Sequence, residues 1–192
     1  MRSTLVYLAV LVALALLVAG VWGFGGFKKR TDTLRPVPPG QRFTSGPYEF
    51  SFSEATVQRT KLDGVISWKV KVLGQGRTTG KGAISPSFVE SFDGMFVLKD
   101  PGTGQIVAPD GQQYGSDTSF SRHNFTPGLP PIPYTLSFTL DEHYQPGPVL
   151  RFGAGDLVYS SHFLTTEEKT WHNGDYITLV LLPVRVLPPA KD

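Results

Sequence analysis

The residues best suited to chemistry are four histidines, His123, His143, His162 and His172, with scattered aspartates and serines. Zinc sites pair their ligands at short, regular spacing. Here the histidines lie 20, 19 and 10 residues apart, and no cysteine is present to join them. Only convergence in space, with Asp141, Glu142 or Asp175 alongside, would build a metal site from this set. Oxygen ligands for Ca²⁺ occur between Asp93 and Asp100 and between Asp110 and Asp117. An EF-hand needs ligands at alternate positions and a closing glutamate, which neither stretch has. Turn chemistry accounts for Asp93-Gly94 and Asp110-Gly111, so neither a metal nor another cofactor is expected.

Nucleophilic catalysis has no better support. Ser85, Ser87, Ser160 and Ser161 lie in no Gly-x-Ser-x-Gly elbow and no Ser-x-x-Lys arrangement. Ser161 and His162 are neighbours on an expected strand, so their side chains point to opposite faces. Asp141-Glu142 and Glu167-Glu168 sit in polar contexts that read as solvated. Gly74-Gln75-Gly76 and Gly80-Lys81-Gly82 lead from no apolar strand into a helix, as a phosphate loop would. The expectation is a protein that is not an enzyme. A hydrolase whose carboxylates meet only in space is the alternative.

The elements that would position any site read as strands. Tyr48, Phe50 and Phe52 alternate with polar residues, as do Ile66, Trp68, Val70 and Val72, and again Tyr134, Leu136, Phe138 and Leu140. Period-two alternation buries one face and wets the other. Further candidates are Ala55–Arg59, Met95–Lys99, Val149–Phe152, Leu157–Phe163 and Tyr176–Val186, with Pro183 implying a bulge or an edge. Asp63-Gly64, Asp93-Gly94, Pro101-Gly102, Asp110-Gly111, Pro146-Gly147 and Asn173-Gly174 mark turns. Asn173-Gly174, between Trp171 and Tyr176, is the strongest hairpin signal. Seven or more short strands predict an all-β, immunoglobulin-like antiparallel β-sandwich, with a barrel as alternative.

Ahead of this body, Leu5 to Phe27 is uncharged and apolar. As a helix it rises about 34 Å, enough for a hydrocarbon core of about 30 Å. Residues 1–30 therefore read as one transmembrane anchor with a basic flank, Lys28-Lys29-Arg30. Cleavage after Val18-Ala19-Gly20, giving a secreted protein, is the alternative. Residues 31–40, rich in proline, read as a linker, and 41–192 as the sandwich domain. The positive-inside rule favours a cytoplasmic domain by only about one charge, which does not decide orientation. An anchor at the extreme amino terminus of a small β domain favours the extracytoplasmic side, and the lack of cysteine suits it. Up to residue 40, five Lys/Arg against one Asp give +4; from Gln41, thirteen Lys/Arg against fifteen Asp/Glu give −2. A mildly acidic domain lacks the basic face that nucleic acid requires.

The layout brings a resemblance. An anchor and a proline-rich linker precede Gly46-Pro47-Tyr48-Glu49-Phe50-Ser51-Phe52. Then come Phe96-Val97-Leu98-Lys99-Asp100, Pro109-Asp110-Gly111-Gln112-Gln113-Tyr114, Phe125-Thr126-Pro127-Gly128 and a hydrophobic last strand. Over roughly residues 5 to 187 this resembles the uncharacterised membrane-anchored, immunoglobulin-like exported proteins of actinobacteria. In outline it is also similar to the small secreted immunoglobulin-like antigens of mycobacteria. The resemblance carries over no catalytic residue.

Function then reads as a single-pass, extracytoplasmic binding module of the cell envelope, engaging another protein or an envelope component. Contact is expected from the proline loop within Ser116–Pro133, notably Pro130 and Pro131, or from Trp171, His172 and Asp175 beside the expected hairpin. The alternative is an accessory subunit of a membrane complex that meets its partners through the anchor. Trp68, inside an alternating strand, is expected in the core.

Overall fold

The alternating runs become long strands because each carries its large side chains on one face. A computed structural model describes residues 7, 12–20, 33–62, 64–80, 95–115, 125–162 and 165–190. They divide into two compact units, Met1–Asp32 and Thr33–Asp192. In the first, residues 12–20 are helical, with their apolar side chains almost all exposed. The rest of the expected span and its basic flank lie outside the described residues. Among the described residues, no helix is long and apolar enough to cross a membrane.

The second unit is all-β: β1 (Thr33–Val37), β2 (Phe43–Ser45), β3 (Tyr48–Leu62), β4 (Val65–Thr78), β5 (Phe96–Lys99), β6 (Ile106–Val107), β7 (Gly111–Tyr114), β8 (Ile132–Leu140), β9 (Val149–His162) and β10 (Thr165–Leu187). One layer, sheet A, runs β6-β5-β9-β10 with β1 at the edge. The other, sheet B, runs β3-β4-β8-β7 with β2 against the start of β3. β10 belongs to both. It pairs antiparallel with β9 as far as Pro183↔Val149, then parallel with β3 from Val184↔Ala55. Pro183 sits at this crossing, where a residue with no N–H costs the ladder least.

Aromatic rings fill the space between the layers. Phe50 and Phe52 of β3 and Tyr134 of β8 face Phe96 of β5 and Phe152 of β9. Phe52 meets Phe152 at 4.7 Å and Phe50 meets Phe96 at 5.3 Å, both edge-on, a favoured geometry for such quadrupoles. All five rings are 0–1% exposed, and each contributes about 1.5–3 kcal/mol by burial. Trp68 packs against this core, its ring edge-on to Tyr144 at 6.0 Å.

Several expectations need correction. Part of the proline-rich linker is a strand: β1 pairs in parallel with Tyr176–Val180 of β10, so the domain starts at Thr33 rather than residue 41. Pro36 is tolerated there because β1 is an edge. Arg35 holds the strand through its guanidinium, 3.6 Å above the Tyr176 ring. With β10 also parallel to β3, the sandwich is not purely antiparallel. Ala55–Arg59 is not a strand of its own but the second half of β3, beyond a bulge between Phe52 and Glu54. Val149–Phe152 and the run from Leu157 to His162 likewise merge into β9, and Phe163 lies outside the described residues. Asn173-Gly174 is no hairpin. It lies inside β10, at a register shift between Asn173 and Ile177. A tight connection does join β3 to β4, where Leu62 pairs with Val65 and Gly64 takes φ 84°; Asp63 lies outside the described residues.

Candidate interaction site

The long strands β9 and β10 outrun their neighbours. β5 pairs only with 152–154 of β9, and β1 only with 176–180 of β10. Beyond Leu157↔Asn173 the two strands form a ladder with each other, an arm extending from sheet A. Tyr159 and Trp171 pair across it, ring centroids 5.1 Å apart. Tyr159 is 54% exposed, whereas Trp171 is half-buried against the core.

The β2–β3 turn fixes the base of the arm. At the register shift β10 has extra residues, so the ladder there loses partners. Ser45, 2% exposed, replaces them: its Oγ donates to the Gly155 carbonyl at 2.9 Å and accepts the Leu157 N–H at 3.0 Å. Gly46 follows at φ 53°. A Cβ there would lie 2.8 Å from both Leu157 Cβ and Trp171 Cζ3, so only glycine seats the indole.

The expected contact residues separate. Trp171 and His172 lie on the arm, with His172 half-buried and its Nε2 3.1 Å from Ser160 Oγ. Asp175 is exposed at the register shift. Pro130 lines a hollow of about 30 Å³ with Gly76, Arg77, Phe125, Thr126, Leu129 and Ile132, room for about one water. Pro131 is half-buried and is not part of that lining. Phe125 forms the floor of the hollow, packed on Tyr48 and Tyr114. Arg77 is locked by a two-pronged ion pair, Nε to Glu49 Oε1 at 2.9 Å and Nη2 to Oε2 at 3.0 Å. Trp171 packs at Gly46 and Phe125 on Tyr48, so the two regions stay separate. Residues 116–124 of the proline loop, His123 among them, lie outside the described residues.

Sequence reasoning missed Ser160 beside His172. Finding it required pairing Ser160 with Thr170 across β9 and β10, but Asn173-Gly174 drew the expected turn further downstream. A serine–histidine contact becomes a nucleophile only with a group orienting the other ring nitrogen. Among the described residues no carboxylate bonds His172 Nδ1. Of the aspartates considered for calcium, Asp100 and Asp110 are engaged by protein groups, and Asp93 and Asp117 lie outside the described residues. Asp100, 3% exposed, accepts from Gly102 N and Thr103 Oγ1 at 2.8 Å each. Asp110 meets Lys69 at 3.5 Å and bonds Thr139. Among the described residues, no group of three metal-ligating side chains occurs. Burial raises the Tyr144 hydroxyl above its usual range, reinforced by the Asp100 carboxylate.

No family model matches the chain, and no curated protein does. A solved structure of an uncharacterised β-sandwich protein from Clostridium difficile 630 aligns with a TM-score of 0.47 and 10% identity. It covers 79% of this chain and 97% of that one. Likeness at this level carries no functional argument.

Proposed function

We propose that this chain is a single-pass, membrane-anchored binding module of the cell envelope. Its immunoglobulin-like sandwich stands on the extracytoplasmic side and engages another envelope protein through the β9–β10 arm. The observation that carries this reading is the Tyr159–Trp171 pair. One ring is fixed by the Gly46 turn and the other is presented to solvent. A rigid aromatic anchor beside an exposed one suits partner contact, because aromatic side chains offer large area at low entropic cost. The sequence supports the anchor, since Leu5–Phe27 is long and apolar enough to span a bilayer.

Intact-cell photo-crosslinking with mass spectrometry tests the contact. A photoreactive residue at position 159 should capture a defined partner, and Trp171→Ala should abolish capture without removing the protein from the membrane. Capture that survives Trp171→Ala but is lost when the anchor is exchanged for a foreign one would favour an accessory subunit working through its helix. A second reading, hydrolysis, rests on the Ser160–His172 contact, which among the described residues lacks the group that would orient the other ring nitrogen. Labelling of the full chain by a fluorophosphonate probe, lost in Ser160→Ala, would establish it.

A further inference from the structure

The outer face of sheet A is built against the ordinary rule for a half-wetted sheet. Alternation puts Phe152, Ala154, Val180 and Leu182 inward, all buried. It must therefore turn Arg151, Gly153, Leu179 and Leu181 outward. Register extends this face to Val97 on β5 and to Leu34 and Pro36 on β1. Leu34 and Leu181 are each 49% exposed. Gly153, between Val97 and Leu179 in the register, is buried. A Cβ there would come 2.9 Å from Val97 Cγ2 and 3.2 Å from Ile177 Cγ2, so these side chains close over the glycine. Lys99 and Arg151, adjacent and exposed, form the charged rim.

We infer that this face lies on the surface of an anionic bilayer, apolar residues at the headgroup boundary and Lys99 and Arg151 among lipid phosphates. Apolar area ringed by basic side chains is the combination that holds a protein at such an interface. Chain length agrees. Five residues, three of them the basic Lys28-Lys29-Arg30, separate Phe27 from Thr33. A tether of five residues, at most about 22 Å of chain, leads from the proposed span to β1, the edge strand of this face. The inference rests on that span.

The chain contains no cysteine, so single-cysteine variants of the full protein can be labelled at one position each. The variants are Leu181→Cys on this face, Gln75→Cys on the exposed outer side of sheet B, and Leu16→Cys in the anchor. Each carries an environment-sensitive dye and is reconstituted in lipid discs containing either phosphatidylcholine alone or a phosphatidylglycerol mixture. With phosphatidylglycerol, iodide quenching at position 181 should fall severalfold below that at position 75. Lys99→Gln with Arg151→Gln should lower the docked-to-free ratio about 25-fold, about fivefold per charge. Equal quenching at 181 and 75 in both lipids overturns the inference while leaving the span intact. Quenching at position 16 as well shows that the span itself has failed. Protection at 181 that persists in detergent, with excimer emission from a pyrene label, assigns the face to a second copy and also overturns the inference.

Discussion

The two sheets share one core but differ on the outside. Sheet B turns Glu49, Ser51, Gln58, Lys69, Lys71, Gln75, Thr135 and Thr139 outward, the mixture of small polar and charged groups that water requires. Sheet A turns out Leu34, Pro36, Val97, Ile177, Leu179 and Leu181, with Lys99 and Arg151 beside them. Inward alternation is equally clean on both, so folding does not demand the difference. One outer face suits solvent, and the other suits something drier.

Adjacent residues of β10 test this contrast most strongly. Leu182 is fully buried and Leu181 is 49% exposed. Leu182→Ala should cost about 2–5 kcal/mol in denaturant unfolding, through lost burial and the cavity left behind. Leu181→Ala should change stability by less than about 0.5 kcal/mol. A large loss at Leu181 would show that this face already packs against protein.

The base of the arm sharpens a second difference, between fixed and presented aromatics. Gly46→Ala sets a Cβ into Trp171 at positive φ and should cost about 2–3 kcal/mol, with a shift in tryptophan emission. Tyr159→Ala should cost less, about 0.5–1.5 kcal/mol for the lost ring contact, and leave Trp171 seated against Gly46. If both variants behaved alike, the arm would not be anchored as described.

A smaller effect separates the core from the surface in pH. Burial pushes the Tyr48 hydroxyl up to about 12 from an ordinary 10.0. The folded state therefore favours the neutral phenol. Its stabilising contribution is complete below about pH 10 and is lost as pH rises toward 12. Tyrosinate absorbance should show late-titrating groups, one of which is lost in Tyr48→Phe. Stability that declines equally in both variants would contradict this assignment.

Much of the fold was legible because alternation is a local signal. The runs from Tyr48, Ile66 and Tyr134 each became strands with the expected faces inward. Where local signals competed, the reading failed. Arg35-Pro36-Val37-Pro38 carries polyproline character, yet a free sheet edge at β10 recruits 33–37. Asn173-Gly174 has hairpin chemistry, but Gly174 serves close approach: a Cβ there would meet Val158 Cγ2 at 2.8 Å. That misplacement concealed the arm, and with it Tyr159 and the Ser160–His172 contact. The apolar exterior of sheet A was invisible as well, since Ile177–Leu182 reads simply as a buried central strand until the pairing shows which residues face out.

The most direct test of the account is labelling of intact cells with a membrane-impermeant maleimide, using the Gln75→Cys and Leu181→Cys chains. The account predicts rapid labelling at position 75, and labelling at position 181 only after detergent releases the protein. Protection of both positions until lysis would place the domain on the cytoplasmic side. Equal labelling of both on intact cells would show that the two outer faces meet the same solvent.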